Sequence, residues 1–442
     1  MPDRQSRRSV LAAMAALPLA GALSACGGPE AGRSRSTGKT TVTFWSSLRG
    51  SQEVVDAFNK SSRTIHVDFQ LIPGGAQGGY LKLSNAARAG NAPDVATIEY
   101  PQLPGFAIDG VATDVTDLLS DRLRRQLLPQ SLALTTFDRK VFAVPLDVEP
   151  MVLHYRKDLF DQYGIEVPRT WDAYEEVART VRKADRGRRL GTFWSDGANE
   201  FAAYNWAAGA RWFRIEGDSW HLSMTDAPTR RVAAFWQHLI DEDLAFVNPG
   251  QSKEGDAQIA GGRILTRLNG AWDAGAQMSA RPAQKGRWRI APMPQWDEDR
   301  PRVSTNGGST FALTKDCRNR EAAMEFVEWQ VSNPDSLRAR LSSGTSSQYP
   351  AVPALVPVAR KAFDRSYYGG QDIYSLFQEE AEKIDDGWAW GPRMTSTTNL
   401  LQDGFARVDG AGGTLIEALR AAQDGTMPDL RAMGLSAVAH DD

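Results

Sequence analysis

The chain is poor in the residues that build covalent frameworks and metal centres. Among its 442 residues there are two cysteines, Cys26 and Cys317. With so few thiols no disulfide framework is expected, and the fold must rest on core burial. Cys317 reads as an inert structural thiol. The five histidines (His66, His154, His221, His238 and His440) are scattered, with no pair at metal-ligand spacing, so no metal and no cofactor is expected. Neither sign of charge is in excess: the net charge of −3 gives no electrostatic reason to expect nucleic acid. Phosphate-binding GxxxxGK[ST], the nucleophile elbow GxSxG and a GxGxxG after a strand are all missing. There is no internal repeat. The glycine pairs are turn signals first.

What is present begins at the N-terminus. "SRRSVLAAMAALPLAGALSAC" joins Arg7 and Arg8 to an apolar run of signal-peptide length, too short to be read as a membrane span. The arginine pair with Ser6 and Leu11 resembles a twin-arginine export signal, although Val10 stands where phenylalanine is commoner. "LSAC" resembles a bacterial lipobox, which implies cleavage before Cys26 and a lipid on its sulfur. The competing reading is a plain secretory signal with a chance cysteine. Residues 1–25 are therefore expected to be a signal peptide and residues 26–40, small and polar, a tether. The remaining length is too great for one core and suggests two domains, which can be interleaved in sequence.

From Thr40 onward short β-rich runs alternate with amphipathic helices, the signature of an α/β fold with parallel strands. "TVTFW", "IHVDFQLI" and "PDVATIE" read as strands, and "SQEVVDAFNKSS" has helical spacing at Val54, Val55 and Phe58. Helix starts are marked by Thr170, by Thr225-Asp226 with Pro228 behind them, by Asn319, and by Asn333 before Pro334. Trp171, Trp236 and Trp329 lie on these helices and are expected in the core. One stretch breaks the apolar pattern. "AVPLDVEPMVLHYRKDLF" carries Asp147 and Glu149 two residues apart inside a strand-like run, and unpaired charges there would cost several kcal/mol.

Five motifs in order resemble one family, the extracellular solute-binding proteins of ABC importers, in the branch of maltose-binding protein. They are "VTFWSS", "PDVATIE", the stretch just quoted, "GRILTRLNGAWDAG" and "STNGGSTFALT". Two positions depart from the family's pattern: Arg156 replaces a usual asparagine, and His154 a usual tyrosine. The resemblance implies an α/β fold of two lobes, joined by crossing strands, with a ligand cleft between them. The first lobe would take residues 41–146 and 306–350, the second 147–305 and 351–442. Crossings would fall at 147–150 and near 303–307, which puts Asp147 and Glu149 at the cleft floor.

The resemblance also implies a ligand. A sugar offers hydroxyls and an apolar C–H face, so its site joins aromatic platforms to planar polar groups. Trp272 matches a stacking tryptophan of the maltodextrin binders. Trp194, Trp206, Trp388 and Trp390 are further candidate platforms, each competing with a place in a lobe core. Polar candidates are Ser46, Ser47, Arg49, Glu99, Tyr100, Tyr349 and Arg393, while Gly307 and Gly308 would let backbone approach the ligand. For Arg49 and Arg393 a solvated surface charge is an equal reading. The expected function is a monomeric, non-catalytic lipoprotein outside the cell that delivers a di- or oligosaccharide to an ABC permease. A glycerophosphodiester receptor of the same architecture is the alternative, its choline head caged by tryptophans. A glycoside hydrolase using Asp147 and Glu149 is less favoured, because torsions of a hinge-crossing strand change on closure.

Overall fold

The computed structural model describes residues 38–250, 252–342, 344, 346–408 and 412–440. The expected signal peptide, Cys26 and most of the tether lie outside the described residues. No helix among those described is long and apolar enough to cross a membrane.

The first sheet has five strands, in the order Ile65–Leu71, Thr40–Ser46, Val95–Glu99, Ser309–Leu313, Val144–Pro145. The first three pair in parallel, as the alternating pattern predicts. The fourth runs antiparallel to its neighbours, because it enters this sheet on its way back from the other half of the molecule. Phe44, at the sheet centre, meets Phe69, Phe311 and Phe326 at ring distances of 5.4–5.6 Å. Helix Arg320–Ser332 closes this core from the far end of the sequence.

A second body is built on strand Met151–Arg156, flanked antiparallel by Thr266–Gly270 and Trp288–Pro292. Its helices start where the caps predict. The Thr170 hydroxyl accepts from the N–H of Ala173, Asp226 from Thr229 and Asn333 from Asp335. Asn319 makes no such bond. Trp171 and Trp236 are buried in this body. Trp329 is only half-buried, lying at the rim of the first core with its ring edge-on to Phe58.

Three stretches of chain pass between the two bodies side by side. Strand Asp147–Val148 pairs with Tyr349–Pro350, and Asn306 donates its N–H to the carbonyl of Glu149 at 3.0 Å. Met151 donates to Ser304, also at 3.0 Å. Their backbone hydrogen bonds are thus spent on one another, which lets a narrow floor stand between two lobes without a sheet around it.

Candidate functional site

Above that floor lies a cavity of about 420 Å³. The turn after strand Thr40–Ser46 brings Ser47 and Arg49 to its rim, and Glu99 ends the third strand at its wall. Asp147 and Glu149 stand two apart on the first crossing and both line the cavity, while Val148 between them is buried. Period-two alternation of a strand does this without any further device. Trp272, just before helix Asp273–Ala280, lines it from the second body, partly exposed.

Gly307 and Gly308 complete this wall from the second crossing, with φ of 89° and 95°. A Cβ on Gly307 would lie 3.0 Å from the indole nitrogen of Trp272, and one on Gly308 would lie 2.6 Å from the Tyr100 ring. Both positions therefore need glycine for backbone conformation and for packing against rings, as well as for access to the cavity.

The carboxylates are not bare. Asp147 accepts the backbone N–H of Ser309 at 2.7 Å. Burial pushes its carboxyl up to about 7, opposed by that N–H and by the Arg340 guanidinium, and reinforced by Glu99. Glu149 is held well above the usual carboxylate range by burial and then by Asp147, against the N–H groups of Trp272 and Tyr349 and the charge of Arg49. Its Oε2 is buried without a partner among the described residues. Glu99 is raised by burial and takes the Tyr80 hydroxyl at 2.8 Å. Three acids thus face one space, with acceptor capacity the protein leaves unused.

Several expected contacts fall elsewhere. Ser46 is buried behind the rim, where its hydroxyl takes the N–H of Leu48 at 3.0 Å and braces the turn. Tyr100 is buried beneath Gly308, donating to the carbonyl of Asp147 at 2.8 Å. Tyr349 is buried as part of the floor. Trp194 sits inside the second body under the Arg267 guanidinium, 5.4 Å from its ring centre. Trp206 lies on helix Ala198–Ala207, which is buried on nearly every side, and stacks on Trp388 at 5.5 Å with Trp390 edge-on. These four tryptophans are core, the competing reading. Arg393 pairs with Asp109 at 3.2 Å, in a second cavity between residues 392–395 and helices Gly79–Arg88 and Leu103–Ile108. Leu48, Ser309, Ser346 and Gln348 line the main cavity without having been singled out in the sequence.

Two lobes on a three-stranded floor, with a half-exposed ring and buried acids turned into the space between, define a cleft-type binding protein. Residues 45–335 match the family described as bacterial extracellular solute-binding protein, and the chain belongs to that family. It is 25% identical over 305 residues to the arabinooligosaccharide-binding protein of Bacillus subtilis, spanning 66% of this chain and 69% of that one. It is 26% identical over 289 residues to the maltooligosaccharide ABC transporter solute-binding lipoprotein of Streptococcus pneumoniae, spanning 64% of this chain and 65% of that one. The galacto-N-biose/lacto-N-biose I-binding protein of the Bifidobacterium longum ABC transporter, solved with lacto-N-biose, superposes with a TM-score of 0.81 at 25% identity. That likeness covers 91% of this chain and 99% of the other.

Proposed function

We propose that this protein is an extracytoplasmic receptor that closes its lobes on a di- or oligosaccharide and passes it to the permease of an ABC importer. One observation carries the reading: a tethered, half-exposed indole, Trp272, shares a cavity with buried acceptors at Asp147 and Glu149. A sugar's C–H face stacks on the ring while its hydroxyls donate to the acids. The sugars in the names of the relatives point the same way. The cleft binds and does not cut, since its acids stand on crossing segments that must flex during closure. The lipobox-like "LSAC" makes Cys26 the lipid anchor, consistent with the pneumococcal relative's description as a lipoprotein. The protein acts as a monomer at the outer face of the membrane. A thermal-shift screen of oligosaccharides and glycerophosphocholine tests this, because a ligand of the folded state raises the melting temperature. A shift with glycerophosphocholine alone, or turnover of an oligosaccharide, would overturn it.

A further inference from the structure

The second lobe carries a cavity of about 150 Å³ that shares no lining residue with the cleft. Three guanidinium groups, from Arg231, Arg300 and Arg302, line it against a single carboxylate, Asp297. Asp297 is engaged by Arg300 at 2.7 Å. Asp385, behind Arg302, lies 3.6 Å from it but is held more closely by Arg211, at 2.7 Å. Arg231 has no carboxylate within ion-pair distance among the described residues. It is fixed by the Trp296 ring, whose centre lies 4.5 Å from its guanidinium carbon, and by the carbonyl of Ala208 at 3.3 Å.

Positive charges do not gather at a cavity without cost. Burial, and after it the nearby Arg302, pull the Arg231 guanidinium below its ordinary range, against the Asp297 carboxylate. The Arg302 backbone N–H donates to Gln295, and its guanidinium lies beside the backbone of Gly209. Trp296 lines the same cavity, and its indole Nε1 is buried with no acceptor among the described residues. The arrangement holds donors in excess and acceptors in deficit.

We propose that this cavity binds a phosphate group, either free inorganic phosphate or the headgroup phosphate of an anionic lipid. Guanidinium groups converging from separate elements match a tetrahedral anion with several oxygens better than a planar carboxylate, which one forked arginine satisfies. The site depends on Arg231 from helix Ala227–Asp241 and on Arg300 and Arg302 from the loop after strand Trp288–Pro292. It is independent of the sugar reading of the cleft.

Calorimetric titration of the full chain with inorganic phosphate at low ionic strength tests the site, with soluble dihexanoyl phosphatidylglycerol as the parallel probe. Arg231→Gln with Arg302→Gln is expected to weaken binding of the responding probe by at least about tenfold, the scale of losing one charge-assisted hydrogen bond. Arg300→Gln, at a side chain 81% exposed and so without risk to folding, is expected to weaken it in the same direction. A response to inorganic phosphate identifies the free ion as a ligand. A response to the lipid analogue alone assigns the site to a headgroup. Failure of the wild-type chain to bind either probe, or binding that none of the substitutions changes, would overturn the proposal.

Discussion

The indole N–H of Trp272 is held by the backbone carbonyl of Asn306, 3.0 Å away. The bond ties the tryptophan that lines the cleft to a crossing segment, so the ring's position is coupled to the floor on which the acids stand. Trp272→Ala is expected to weaken sugar binding by roughly 1–3 kcal/mol, the scale of burying a large apolar side chain, with the fold intact. Trp272→Phe keeps a ring but loses the tether, and should fall between the two. Calorimetry on both variants checks the order.

Asp147 carries a pH signature. Between the ordinary value of 3.8 and about 7 its carboxyl keeps, in the folded protein, a proton that the unfolded chain has released. Stability contributed by this group is therefore present at low pH and lost as pH rises through that window. Asp147→Asn keeps the Oδ1 acceptor for Ser309 and removes the titration. The ligand-free variant should gain in melting temperature relative to wild type as pH rises from 4 toward 7, then level off. A difference that stays constant across this range would remove the buried-acid account.

His154 gives the opposite slope. It is fully buried, with Nδ1 3.2 Å from the Tyr368 hydroxyl, and burial pulls it down to about 4 from 6.5. Stability from the neutral ring is present above pH 6.5 and lost as pH falls toward 4. His154→Gln should flatten this part of the profile, as measured by the melting temperature of variant and wild type between pH 4 and 7.

Gly308→Ala combines a φ of 95° with a Cβ only 2.6 Å from the Tyr100 ring. It should destabilise the fold by about 1–3 kcal/mol, in the range of left-handed strain in a non-glycine residue. Chemical denaturation of the variant checks this.

How much of this was legible in sequence differs by feature, for physical reasons. Strand alternation and helix caps are local, so Thr40–Ser46 and the starts at Thr170, Asp226 and Asn333 could be read directly. Asp147 and Glu149 stood out because charge inside an apolar strand is anomalous wherever it occurs. Trp194, Trp206, Trp388 and Trp390 could not be sorted, since an indole serves a core and a sugar platform equally well. Ser346 and Gln348 gave no local signal at all. They reach the cavity only because the adjoining Tyr349–Pro350 pairs with Asp147–Val148, a contact across some two hundred residues.

Cys26→Ala should abolish lipid attachment and leave the protein uncleaved or released from the cell. Fractionation of cells expressing the variant checks this, and a processed form still partitioning with membranes would contradict the anchor.

Sugar capture by the buried acids is tested by a calorimetric titration of wild type and Glu149→Gln with the best sugar from the thermal-shift screen. Glu149 has a buried Oε2 with no partner among the described residues, and in the sugar reading a hydroxyl of the ligand supplies one. A buried hydroxyl left without its acceptor costs roughly 1–3 kcal/mol. The account predicts that Glu149→Gln binds at least about tenfold more weakly, while the ligand-free melting temperature is unchanged or raised. Full affinity with a lowered melting temperature would instead show that Glu149 braces the floor and that the ligand is held elsewhere.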